Sequence, residues 1–195
     1  MNARHRYRLR LLTAAAWATF AAGLISGCST DPTDETTAPS SSQQGGAETV
    51  TADGRSMPPW PAPVADVPVR VAAAGLDLGP MGTAEHYHPN LQIIIDGQQV
   101  QVPANIGVDP ATGAMSAVHT HETDGTIHIE ADTVGEVFTL GQLFTQWGVK
   151  LTPTQIGGVR VDNGVLEVTS DGTPVEGDPA DLRLEPEQRI VLRVR

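Results

Sequence analysis

Apolar and polar positions alternate with a period of two across residues 91–102, with Asp96-Gly97 at the centre of the run. An Asp-Gly pair favours a two-residue hairpin turn, because both positions tolerate positive φ. That turn sets Ile93 against Val100, Leu91 against Val102, Gln92 against Gln101 and Ile94 against Gln99. One face is then apolar and the other mostly amide, as a half-buried hairpin requires. The same reasoning predicts a second hairpin over 116–131, turning at Asp124-Gly125. A third is predicted over 159–168, turning at Asn163-Gly164, with Val161 facing Leu166, Val159 facing Val168 and Arg160 facing Glu167. Between the second and third the period changes to 3.6: Leu140, Leu143, Phe144 and Trp147 fall on one helical face. Thr139 and Gln142 have the spacing of a capping box, and Gly148 can end the helix. Residues 190–194 alternate apolar and basic positions as a final strand.

These elements describe an α+β chain of mostly antiparallel β hairpins with one helix. From Ser116 onward the order is hairpin, helix, strand pair, long connection and final strand. That order resembles the β-grasp (ubiquitin-like) fold, which implies a β-grasp-like C-terminal part; a small β-sandwich with one helix is the alternative. Length makes residues 64–195 one β-rich globular domain.

The N-terminal pattern is of another kind. Arg4, Arg6, Arg8 and Arg10 precede an apolar run over 11–25, followed by Ile25-Ser26-Gly27-Cys28. The run has the length of a signal-peptide core and falls short of the ~20 residues that span a bilayer. An aliphatic residue, two small residues and a cysteine resemble the lipobox of bacterial lipoproteins. The resemblance implies that residues 1–28 are a signal peptide and that Cys28 is lipidated and becomes the mature N-terminus. The chain would then sit on the extracytoplasmic face of the cell membrane, with the lipid on Cys28 as its membrane partner. Residues 29–63 are rich in Ser, Thr, Pro, Gln and Gly and read as a disordered tether.

Charge then removes a class of partners. Without residues 1–28 the chain has eight basic and 23 acidic residues, a formal charge of −15. Such a surface repels nucleic acid, so no nucleic-acid partner is expected. Cys28 is the single cysteine, so the mature chain has no disulfide and no other thiolate for metal binding or catalysis. G-x-S-x-G, P-loop and dinucleotide fingerprints do not occur.

The chemistry concentrates in histidine. His5 lies in the leader; His86, His88, His119, His121 and His128 fall within 43 residues, four of them in H-x-H pairs. On a strand, residues i and i+2 share a face. With the turn at Asp124-Gly125, His121 lies across from His128 and His119 across from Glu130, all on one face. Val118, Thr120, Ile127, Ile129 and Ala131 take the other. Opposed Cβ atoms are ~4.5–5.5 Å apart, so the imidazoles can converge on a divalent transition metal, zinc or copper by preference. The candidate metal ligands are His119, His121, His128, Glu130, His86 and His88. Glu130 fits a ligand, an orienting partner of an imidazole, or a solvated charge. Pro89 interrupts the strand of His86 and His88, and nothing local brings that pair to the hairpin. Glu122 points to the opposite face. Met81 and Met115 are possible soft ligands but read as packing residues. The outline is similar to the three-His zinc sites of alpha-type carbonic anhydrases and to the H-x-H of cupins. It departs from the cupin motif because Gly125 and Thr126 stand where a Glu would follow.

The stretch 86–148 also resembles a family of exported prokaryotic proteins. The motifs carrying the resemblance are His86-Tyr87-His88, Val102-Pro103-Ala104-Asn105-Ile106-Gly107, the hairpin from His119 to Glu130, and the segment from Phe138 to Gly148. It implies kinship and leaves activity open. Three functions remain. One is a lipoprotein that captures, buffers or delivers a metal. Another is a metal-dependent enzyme with three His and an open coordination position. The third is a non-catalytic structural or interaction module without metal. The residues assign no catalytic group, which favours the first.

Overall fold

The structure is a computed structural model that describes residue 54, residues 56–162 and residues 164–195. All of these belong to one compact unit, Gly46–Arg195. The signal peptide, Cys28 and most of the expected tether lie outside the described residues, as does Asn163. Among the described residues no helix is long and apolar enough to cross a membrane.

The fold is α+β and rich in β. In chain order it has α1 (Val67–Ala73), β1 (Glu85–Tyr87), β2 (Asn90–Ile95), β3 (Gln98–Val100), β4 (Val118–His119) and β5 (His128–Ala131). Then follow α2 (Leu140–Trp147), β6 (Leu151–Thr152), β7 (Gln155–Ile156), β8 (Val159–Arg160), β9 (Glu167–Ser170), β10 (Thr173–Pro174), a 3-10 turn at Pro179–Asp181, and β11 (Arg189–Val194). Two helices form where one was expected. Val67, Val69 and Val71 alternate with a period of two and hide the first helix. Pro68 fits its opening turn, where a backbone N–H has no helical partner.

The main sheet has the order β10-β9-β11-β2-β3, with β11 parallel to β2 and every other pair antiparallel. The hairpin β2–β3 turns at Asp96-Gly97 with φ of 50° and 77°, and pairs Ile93 with Val100 and Ile94 with Gln99 as expected. The ladder stops at Val100, so the expected Leu91–Val102 pair does not form; Leu91 N–H bonds the Gly125 carbonyl instead. Helix α2 is capped by the Thr139–Gln142 box and closed by Gly148 at φ 78°. Leu140, Leu143, Phe144 and Trp147 are all buried.

Other expectations fail. The third hairpin is absent: β8 pairs with β7, and β9 pairs with β11 and, through a turn at Asp171-Gly172, with β10. Gly164 lacks the positive φ that a tight Asn-Gly turn demands. Val168 opposite Leu192 gains a place in the main sheet, and that long-range burial outweighs the local turn. Nor does the hairpin after Ser116 enter the main sheet. The hairpin of that sheet is β2–β3, while β4 and β5 join β1 in a separate sheet of order β1-β5-β4. The packed chain also begins earlier than Val64. Trp60 is 2% exposed, meets Trp147 edge-on at 6.0 Å between ring centres, and its backbone carbonyl accepts from Trp147 Nε1–H at 3.2 Å.

Candidate metal centre

The sheet β1-β5-β4 carries the histidines. Strand β5 lies in the middle, with His86 opposite Glu130 on one side and His119 opposite His128 on the other. The β1 register continues past Pro89 to a bridge between Asn90 and Thr126, which sets His88 beside His128. Pro89 ends strand β1, yet its carbonyl accepts from Ile127 N–H, so the first H-x-H pair is held to the hairpin after all. The opposite face is apolar: Val118, Ile127, Ile129 and Ala131 are fully buried. That burial fixes which face the imidazoles take.

The hairpin register differs from the expected one by two residues. His119, not His121, faces His128, and Glu130 pairs with His86 rather than His119. A shift of two preserves faces, so the cluster survives the correction. The shift arises because both flanks of the loop find other partners. Thr120 exchanges backbone bonds with Asn105 and Ile106, and its hydroxyl donates to the Pro103 carbonyl at 2.8 Å. Gly125 and Ile127 bond Leu91 and Pro89. Residues 120–127 are therefore a loop, and period-two alternation ceases to apply. His121 folds over the cluster, and Glu122, expected on the other face, places Oε2 3.0 Å from His128 Nε2.

Four imidazoles gather around the fifth, His128. Its ring centre is 4.7 Å from that of His88, 4.8 Å from His121, 5.4 Å from His119 and 6.3 Å from His86. Two groups could hold a metal ion, His86–His88–His128 and His119–His121–His128; in each, one ligand atom per residue lies within 4.8 Å of the others. His119 is fully buried, and its Nδ1 is 2.9 Å from the Ser116 carbonyl. A carbonyl only accepts, so Nδ1 carries the proton and Nε2 keeps its lone pair. That Nε2 lies 3.1 Å from His121 Nε2. Metal–nitrogen bonds of 2.0–2.1 Å put tetrahedral ligand nitrogens about 3.3 Å apart, so this pair is already at coordination spacing. The same logic makes His128 Nε2 the donor to Glu122, so Nδ1 is the ring nitrogen it has left to offer a metal.

Burial pushes the His119 imidazole down to about 4, against the raising effect of its bond to Ser116. His88 is also lowered, by burial first and then by His128 and His86. Both rings stay neutral at neutral pH, the state that binds metal. The hydrogen bond from His128 holds the Glu122 carboxyl below its usual range. Glu130 is buried; its Oε1 lies 3.4 Å from His86 Nε2, and its Oε2 has no hydrogen-bond partner. An unpaired buried carboxylate oxygen is costly unless positive charge is near, so this residue too fits a cation beside the histidines.

Comparison with family models, curated proteins and solved structures finds no match to this chain. The motifs of the histidine region therefore take their meaning from their contacts. Ser116 Oγ–H lies 2.6 Å from the Val118 carbonyl and 2.9 Å from Gln146 Oε1, while Gln146 Nε2–H donates to the same Val118 carbonyl at 2.6 Å. Helix α2 thus props up the turn whose carbonyl orients His119. Gly107 packs into this network, where a Cβ would sit 2.7 Å from the Val118 carbonyl oxygen and 2.8 Å from Gln146 Oε1. Sequence reasoning missed Glu122, Ser116 and Gln146 as partners of the cluster. Gln146 carried a signal: it falls on the face of Leu143 and Trp147, where a polar residue needs a reason.

Proposed function

We propose that this chain is an exported, lipid-anchored protein whose histidine cluster captures a divalent transition metal, zinc or copper by preference, and holds it for buffering or delivery. The observation that carries the reading is the convergence of four imidazoles on a fifth, His128, with the His119 tautomer fixed so that Nε2 faces His121. Neutral imidazoles suit zinc, copper and nickel. Glu122 behind His128 and the Ser116 carbonyl behind His119 are the partners that orient metal-binding histidines elsewhere. The lipobox at Ile25–Cys28 supports the anchor, and the extracytoplasmic side of the membrane is where such an anchor places its domain.

Turnover has less support than capture. Of two clefts on the described residues, of about 830 and 320 Å³, the smaller reaches Ser116 and Glu130, but no cluster histidine lines either. Calorimetric titration at pH 7 with Zn(II), Cu(II) and Ni(II) tests the reading. At least one metal should bind with Kd near or below ~1 μM, about 8 kcal/mol, and His128→Ala should weaken it by 100-fold or more. No binding tighter than ~0.1 mM, about 5.5 kcal/mol, would overturn the reading.

A further inference from the structure

The two groups of histidines share one member. His128 belongs both to His86–His88–His128 and to His119–His121–His128, and among the described residues the ligand atoms form two groups of three rather than one of five. Metal–nitrogen bonds of 2.0–2.1 Å let two ligand nitrogens of one ion lie at most about 4.2 Å apart, so one ion cannot take all five in this arrangement. The groups also differ in kind. One is anchored on His119, fully buried and fixed by the Ser116 carbonyl. The other includes His86, whose side chain is 55% exposed and faces the Glu130 carboxylate at 3.4 Å.

We infer that the cluster is a two-position relay for a single ion, with His128 as the common ligand. The position at His86 and His88 is the outer one, where Glu130 supplies negative charge. The position at His119 and His121 is the holding one, where a pre-oriented imidazole limits the ordering cost. In transfer, bonds from the ion to His119 and His121 break while bonds to His88 and His86 form, and His128 stays bound. Each bond to the ion uses a ring lone pair and the ion keeps its oxidation state, so the transfer needs no electron donor or acceptor. The ion can then pass to an acceptor by ligand exchange without becoming a free aqua ion. This rests on the metal reading and goes beyond it by giving the site a direction.

The test uses the two most exposed ligands: His86→Ala, His121→Ala and the double variant, each checked for the wild-type circular dichroism spectrum and titrated with Zn(II) by calorimetry beside wild type. Wild type should bind one ion per chain. Each single variant should still bind one ion, weakened no more than about threefold, because the other triad survives. The double variant leaves no triad whole and should lose at least about 100-fold, well beyond the roughly tenfold product of the single effects. A competing chelator should strip zinc from His86→Ala at least several-fold more slowly than from wild type, because the outer position is gone. Two ions per wild-type chain would overturn the relay, as would additive losses or a single variant that abolishes binding. Absence of zinc binding to wild type would sink the metal reading itself, together with the relay.

Discussion

His119 is the residue in which fold and site are most tightly joined. It is fully buried, it faces His128 across the sheet, and its Nδ1 proton is committed to a carbonyl. Its pKa is about 4 in the folded protein, against ~6.5 unfolded. A depressed histidine contributes stability in full above pH 6.5 and loses it as pH falls through 6.5 toward 4. The loss should reach about 2–3 kcal/mol. Denaturant melts of the metal-free protein at pH 7, 5.5 and 4 should show it, and His119→Asn should lack that share of the pH dependence. Glu122 makes a second residue-scale prediction. Because it accepts from His128 Nε2–H, Glu122→Ala should weaken metal binding by about 10-fold or more. The sequence pattern alone puts Glu122 on the far face, so its affinity would then stay unchanged; titration separates the two.

At the scale of elements, the legible parts are those with local causes. Asp96-Gly97 carries its own turn, and Thr139, Gln142 and Gly148 carry the two ends of α2. The histidine face could be read as well, because Ile127 and Ile129 must point into the core and the imidazoles must then point out. What could not be read was long-range competition. The loop after His119 is opened by Thr120 bonding to 103–106 and by Gly125 and Ile127 bonding to 89–91, and neither contact leaves a periodic trace. Those contacts also explain why the first H-x-H pair joins the cluster. Gly107 tests this account. It sits at φ 74°, and a Cβ there meets the Val118 carbonyl and the Gln146 amide. Gly107→Ala should destabilise the fold by more than about 1 kcal/mol. It should also weaken metal binding, since the same network holds the turn that orients His119. Thermal melts and titration of the purified variant check both effects.

Across the whole molecule, the domain is closed at its start by Trp60, which the Ser- and Pro-rich composition around it does not announce. Removing residues 1–63 would remove a buried indole that packs on Trp147. A chain beginning at residue 64 should be about 3 kcal/mol less stable in urea than one beginning at residue 54. Cys28→Ser should release the protein from membranes, and mass spectrometry of the wild type should find acyl chains on Cys28; an unmodified, soluble wild type would refute the lipoprotein reading. The fold brings two strands and a loop residue together so that His128 and one flanking pair of histidines can hold one metal ion. Anomalous diffraction at the zinc edge, on crystals grown with one equivalent of Zn(II), tests it most directly. One peak should appear, bonded to His128 and to either the His119–His121 or the His86–His88 pair, at about 2.0–2.1 Å from each nitrogen. A peak away from His128, or none in a crystal that contains equimolar zinc, would contradict it.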